Sequence, residues 1–357
     1  MSKILVAMSG GVDSSVAAVL LREQGHELCG VTLKLYENED VGGCLSGRTC
    51  CSLDDVEDAR RAAARLGFRH VVFSYAEAFR NDVMTRFADE YSAGRTPNPC
   101  IDCNRFIKFP KLLQRARLLG MDAIATGHYA RIEYDDSVGR WMLKKARDES
   151  KDQTYVLYAL TQDELAHTFF PLGKLLKSEV RKIAEQYELS NANKPDSQDI
   201  CFVPDGDYAN FLEQVMGAAV NEGDFVDSEG NVIGRHKGHH RYTIGQRRGL
   251  GVGFGEPRYV IKKDADKNTV TLGRKQELYS DGFDVGEVNW IAVEQLDKPM
   301  PVAVKTRYHQ PETGATLYPR DEGRVHVVYD RPQKSSAAGQ SAVFYKGDIV
   351  VGGGIII

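Results

Sequence analysis

Short apolar runs alternate with longer amphipathic stretches through the first half of the chain. Lys3 to Met8 predicts a buried strand, and Ser14 to Gln24 a helix with Gly25 just past its end. Leu28 to Leu35 predicts the next strand. Leu53 to Leu66 predicts a helix, with Ser52 as N-cap and Gly67 as stop. His70 to Ser74 and Asp122 to Thr126 read as further strands, and Ala76 to Ser92 and Phe109 to Leu119 as helices. Strands alternating with helices require crossovers, so this half is α/β with a mostly parallel, doubly wound sheet covered on both faces.

The texture changes near Gly206. Asp207 to Met216 predicts one more helix, and short alternating runs then dominate. Gly282 to Ile291, Val302 to Tyr308, Gly314 to Tyr318, Arg324 to Tyr329, Ser341 to Tyr345 and Asp348 to Gly352 all read as strands. That series predicts a small antiparallel barrel or sandwich. Between the two lies a glycine-rich, basic stretch with a hairpin around Val260 and Val270. Three domains are expected, at 1–205, 206–280 and 281–357, the middle one small and mixed.

Composition narrows the class. The 357 residues are 42% hydrophobic and 27% charged, which fits packed cores and argues against disorder. No apolar run is long enough to cross a bilayer, and the start lacks the apolar core of a signal peptide, so no membrane partner is expected. Seven cysteines, an odd number, do not suggest an extracellular disulfide framework, and a cytoplasmic location is expected. The net charge of -4 excludes a generic polyanion binder but not a local basic patch.

Ser9-Gly10-Gly11-Val12-Asp13-Ser14-Ser15 lies between the first strand and the first helix, where a doubly wound sheet places a phosphate. The glycines let the backbone turn and approach an anion, the serines offer hydroxyl donors, and Asp13 could hold magnesium or orient the loop. The heptad resembles the pyrophosphate loop of the ATP pyrophosphatases, which implies cleavage of ATP to AMP without choosing the acceptor. Thr126-Gly127-His128-Tyr129 ends a later strand at the same sheet edge, where its glycine could admit the adenine or ribose.

Two loops carry chemistry-bearing cysteines. Cys100 and Cys103 lie in Thr96-Pro97-Asn98-Pro99-Cys100-Ile101-Asp102-Cys103-Asn104, spaced to converge on one metal or on each other. Cys201 ends a polar loop, Lys194 to Phe202, where its thiolate would be a nucleophile. Cys44, Cys50 and Cys51 lack a clear fourth zinc ligand and read as ordinary loop cysteines, and Cys29 as core.

SGGVDSS, NPCIDCNRFIKF, ATGHYAR, KDQTYVLY, KPDSQDICF and YTIGQRRGLG occur in that order over most of the chain. Together they resemble the tRNA-specific 2-thiouridylase (MnmA) family. The resemblance implies ATP-dependent exchange of oxygen for sulfur at C2 of a wobble uridine in tRNA. It also implies an N-terminal ATP pyrophosphatase-type domain, a small central domain that contacts tRNA and a C-terminal β-barrel. By the same resemblance Ala7, Met8, Ser9, Gly10, Gly11, Val12, Asp13, Ser14, Leu33 and Gly127 bind ATP, with Mg2+ expected on the phosphates. Cys201 corresponds to the persulfide-bearing cysteine, delivered by a sulfur-donor protein, and Cys103 to a second active cysteine that can pair with it. Lys151, Asp152, Gln153, His128, Arg307, Tyr308 and Gln340 match positions that touch tRNA, and Asn98, Pro99 and Cys100 lie where the target base would sit.

One departure is informative. Some members have Asp at the position of Cys100, a carboxylate often proposed as general base; here Asp102, two residues on, is the available substitute. Alternatively Cys100, Cys103 and Cys201 form a three-thiolate iron–sulfur site with one open iron.

From Gly230 to Gly255 there is no acidic residue, while Arg235, Lys237, Arg241, Arg247 and Arg248 recur among His236, His239, His240 and Tyr242. This stripe is expected to meet tRNA phosphates. Two rivals stay open: a small-molecule ligase of the same ATP-cleaving group, and an ATP- and RNA-binding factor whose cysteines sense redox state. No heptad seam argues for a dimer, so a monomer is expected.

Overall fold

The computed structural model describes residues 1–41, 53–192, 194–195, 200–203, 205–251, 253 and 256–357. Cys44, Cys50, Cys51, the Ser52 cap and 196–199 of the Cys201 loop lie outside them. Strands β1 (Lys3–Ala7), β2 (Glu27–Lys34), β3 (His70–Ser74) and β4 (Ala123–Ala125) join the short strand Thr168–Phe169 in one parallel sheet. Its order is β3-β2-β1-β4 and then Thr168–Phe169. β1 is central, so Ile4, Leu5 and Val6 are all fully buried, as a run of branched residues between two helical layers should be. Helix α1 (Val12–Glu23) and the helices Leu53–Arg65 and Lys177–Gln186 cover one face, and Phe109–Leu118 the other.

The chain passes from β1 to β2 on one side, whereas β4 lies on the other side of β1. The carboxyl ends of β1 and β4 therefore flank the topological switch point, the crevice where such sheets bind ligands. Helix α1 begins two residues earlier than its periodicity predicts, which brings Val12 and Asp13 into its first turn.

The stretches 76–92 and 99–118 are continuous helical runs, each broken by a π turn, at Arg80–Thr85 and Cys103–Lys108. The second π turn starts at a candidate active cysteine, and single π turns are frequent at functional sites.

The central sheet has the order Tyr259–Asp264, Thr269–Gly273, Gly223–Val226, Val232–His236, with one parallel pairing. In the C-terminal part Tyr279–Trp290, Val325–Lys334, Thr313–Pro319, Met300–Lys305, Ser341–Lys346 and Ile349–Ile356 pair antiparallel in that order. Tyr279–Trp290 also pairs with Ile349–Ile356, so the six strands close into a barrel and leave no open edge among themselves.

The strands Thr168–Phe169, Gly223–Val226 and Val232–His236 and the helix Lys177–Gln186 are not among the elements predicted above, nor is a hairpin beside the barrel. Arg131–Asp135 and Arg140–Lys144 form a hairpin that joins the outside of the barrel through Lys144 opposite Ile349. Tyr155 Oη donates to Ser341 O at 2.9 Å, knitting the same junction. Among the described residues no helix is long and apolar enough to cross a membrane.

Candidate active site

The glycine loop is held by its own serines. Ser14 Oγ and Ser15 Oγ each donate to Gly11 O at 3.1 Å, and Ser9 N donates to Ser14 Oγ at 3.2 Å. No side chain caps α1, so its first-turn N–H groups are left toward the switch-point crevice, with the positive end of the helix dipole behind them. Gly10 is left-handed (φ 74°), and a Cβ there would lie 2.3 Å from Asp55 O. A Cβ on Gly127 would lie 2.7 Å from Ser14 N, so the two turns are in direct backbone contact. Met8 and Val12 point into the core at 1% and 4% exposure, so only their backbone faces the crevice. Leu33, near the end of β2, is half-buried.

Asp13 is tied down on both carboxylate oxygens. Lys177 Nζ reaches Oδ1 at 2.7 Å and Oδ2 at 2.8 Å, and Tyr129 Oη donates to Oδ1 at 2.8 Å. Of its two expected roles, the geometry supports orienting the loop. Tyr129 is fixed in turn by Gln153, whose Oε1 accepts from Tyr129 N at 2.8 Å.

Asn98 caps the cysteine-bearing helix: its Oδ1 accepts from Cys100 N at 3.1 Å and Ile101 N at 3.4 Å, with Pro99 opening the first turn. Cys100 is exposed, Cys201 half-buried and Cys103 8% exposed. Cys103 and Cys201 border one apolar cluster with Phe79, Phe87 and Phe202, and Tyr36 Oη donates to Cys201 O at 2.8 Å. Asp102 is buried, and burial pushes its carboxyl up to about 6 against the pull of Arg86 and Arg105. Tyr308 lies close enough to Cys100 and Asp152 for both to act on it electrostatically; burial first, and then those two groups, push its hydroxyl up to about 12.

Among the described residues no three His, Cys, Asp or Glu side chains are grouped to hold a metal.

The chain matches the family model described as tRNA methyl transferase HUP domain over residues 2–205. Residues 209–274 match a tRNA methyl transferase PRC-barrel domain, and 280–356 an aminomethyltransferase beta-barrel domain. It is 49% identical to the tRNA-specific 2-thiouridylase MnmA of Acetivibrio thermocellus, over 99% of both chains. The chain belongs to the MnmA family. The Clostridioides difficile member is 48% identical, over 99% of this chain and 98% of its own. A solved 4-thiouridine synthetase–RNA complex with bound ATP aligns at 19% identity and TM-score 0.39, over 60% of this chain and 50% of its own.

The positions expected to meet tRNA in this family member fall into two groups. Arg247 and Arg248 are exposed and carry no ion pair among the described residues. Arg307 is exposed too, and its Nη2 reaches Ile244 O at 3.4 Å, which joins the barrel to the glycine-rich basic loop. Lys151 is half-exposed. Other polar groups are engaged inside the fold. Asp152 accepts from Ala146 N at 2.9 Å and Thr154 Oγ1 at 2.6 Å, and Gln340 Nε2 donates to Thr96 O at 2.8 Å. His128 packs between Phe109 and Phe170 with its Nδ1 2.7 Å from Thr126 Oγ1, and burial holds its pKa well below the ordinary range.

The basic stripe is narrower than its sequence suggests. Arg235 pairs with Asp224 and Arg241 with Glu213, while His236 and His240 are buried.

Two residues at the loop were missed. Lys177 is one. Asn191 is the other: it is buried, and its Nδ2 donates to Gly10 O at 2.8 Å and Ser15 Oγ at 3.0 Å. Neither stands in a motif, and no periodicity singles them out.

Proposed function

We propose that this chain thiolates C2 of the wobble uridine in tRNA, consuming ATP. The full-length identity with relatives named as tRNA-specific 2-thiouridylases carries the reading. The matching models are described in terms of methyl transfer, whereas the full-length relatives are named as thiouridylases.

ATP is a substrate here. Its β- and γ-phosphates lie on the 9–15 loop with Mg2+, against the N–H groups of α1, and the adenine lies between Leu33 and Gly127. Lys177 is positioned to meet a phosphate when Asp13 shares it. The uridine C2 oxygen attacks the α-phosphate, pyrophosphate leaves, and the C2–O bond now has AMP as leaving group. Fixed N–H donors stabilise the charge that develops on the phosphates.

A sulfur-donor protein leaves Cys201 as a persulfide. Its terminal sulfur attacks C2 and AMP departs, giving a mixed disulfide between Cys201 and the base. The Cys103 thiolate attacks Cys201 Sγ; the S–S bond breaks toward the base, 2-thiouridine is released, and a Cys103–Cys201 disulfide forms. A thiol reductant restores both cysteines. Asp102, raised toward neutrality, is suited to take a proton near Cys103.

In this reading 1–205 does the chemistry, 206–280 holds tRNA through Arg247 and Arg248, and 281–357 adds Arg307 and Tyr308. The direct test is AMP and pyrophosphate release with and without unmodified tRNA. Release that requires tRNA is expected; AMP formed equally well without RNA would instead indicate the small-molecule ligase.

A further inference from the structure

Among the described residues, four that are not glycine have left-handed backbone: Glu188, Asn268, Glu287 and Glu322. Three are ordinary. Glu188 follows the end of the helix Lys177–Gln186, Asn268 precedes a strand at a tight turn, and Glu322 sits in a short helical turn. Glu287 differs, because it lies inside the long strand Tyr279–Trp290 with φ 48°. Gly286 pairs with Ile355 and Asn289 with Gly353, so Glu287 and Val288 together oppose Gly354 alone. This is a bulge whose left-handed position normally takes glycine. Glutamate is a poor residue for that backbone, and a strained position kept by a non-glycine side chain directs attention to what the side chain does.

Its carboxylate crosses from the barrel to the cysteine-bearing helix. Oε2 receives Arg105 Nη1 at 2.9 Å, and Oε1 lies 3.6 Å from Arg86 Nη2. Both guanidinium groups lie over the Phe106 ring, at 5.7 Å for Arg86 and 5.1 Å for Arg105. Arg86 Nε is 3.7 Å from Asp102 Oδ2, and Asp102 immediately precedes Cys103. Arg105 belongs to the π turn that Cys103 begins. The barrel thus grips the irregular turn of the helix that carries Cys100 and Cys103, through Arg86, shared between Glu287 and Asp102, and through Arg105, paired with Glu287.

We propose that Glu287 is a positioning residue for sulfur transfer: from its bulge it fixes Arg86 and Arg105, and through them the turn that holds Cys103. The inference rests on the reading of Cys103 as an active cysteine. It makes the bulge a place where local backbone stability is given up for geometry at the site.

Glycine at this position suits the bulge and removes the carboxylate. Glu287→Gly should therefore keep or raise the thermal midpoint while kcat for 2-thiouridine formation falls roughly ten- to hundred-fold, with KM for ATP unchanged. Glu287→Gln, which keeps the shape, should lose less activity than the glycine variant. Peptide mass spectrometry should show faster iodoacetamide alkylation of Cys103 in Glu287→Gly. An unchanged kcat and alkylation rate in an active preparation, or a joint fall of midpoint and kcat in Glu287→Gly, would overturn the proposal. A wild-type protein that makes no thiouridine although Glu287→Gly alters Cys103 alkylation would overturn the parent reading, while the grip of Glu287 on the turn would stand.

Discussion

Lys177 and Asp13 meet at 2.7 Å although 164 residues separate them in sequence. The pair joins the first turn of the helix after the glycine loop to the first turn of the helix that closes the same face of the sheet. Lys177 is 12% exposed at its side chain, so the contact is shielded from bulk screening. Replacing Lys177 by Met leaves Asp13 without its cation next to the incoming phosphates. Loss of a charge-assisted contact of this kind corresponds to about a ten- to hundred-fold rise in KM for ATP. KM for tRNA should stay within about two-fold, a split read from tRNA-dependent AMP formation under varied ATP and varied tRNA.

Gly127→Ala tests the contact between the two turns. The added Cβ would meet Ser14 N at 2.7 Å and Asp13 C at 2.8 Å, both backbone atoms that cannot rotate away. Helix α1 must then shift away from the end of β4, and a displacement of about 1 Å at a reacting group lowers rate on the order of a hundred-fold. Pyrophosphate release measures the effect, and binding of tRNA alone should be unaffected.

The exposed arginines of the central loop make an electrostatic prediction. Removing two phosphate contacts with Arg247→Ala and Arg248→Ala together should reduce the slope of log affinity against log salt by about 1.4 to 1.8. Arg235 and Arg241, already paired with Asp224 and Glu213, should contribute less when replaced. Filter binding of tRNA over a salt series reads both. An unchanged slope in the double variant would remove this loop from the tRNA surface.

Much of this arrangement was legible along the chain. The glycine loop, its following helix and the turn at Gly127 were readable because each feature is local: a strand, a sharp turn and a helix start. The six barrel strands were readable from alternation. Lys177, Asn191 and Glu287 were not, because their partners come from distant segments and only the assembled sheet brings them together. For the same reason sequence could not show that Gln340 reaches Thr96, 244 residues away. The hairpin at 131–144 had a readable signal, Asp135 to Gly139 between two alternating runs. It was overlooked because an antiparallel pair was not expected within an α/β half.

Lys263 supplies a stability prediction. Its Nζ is buried beneath the Tyr91 ring without a hydrogen-bond partner among the described residues, and burial pulls its pKa from 10.5 down to about 8. Below pH 8 the folded chain holds a poorly solvated ammonium. Between pH 8 and 10.5 the unfolded chain keeps a proton that the folded chain has released, so stability rises with pH across this window. Lys263→Met should stabilise the protein at pH 7 by up to about 3 kcal/mol, and the gain should vanish above pH 10.5. Denaturant unfolding at pH 7 and pH 10.5 checks the sign.

In the proposed mechanism sulfur reaches tRNA through Cys201. Unmodified tRNA is incubated with the protein, ATP, and a cysteine desulfurase with cysteine as persulfide source, and its nucleosides are analysed by mass spectrometry. 2-Thiouridine should form, require ATP and disappear in Cys201→Ser. Thiouridine formed at the wild-type rate by Cys201→Ser, or none formed by the wild-type chain under these conditions, would contradict the mechanism.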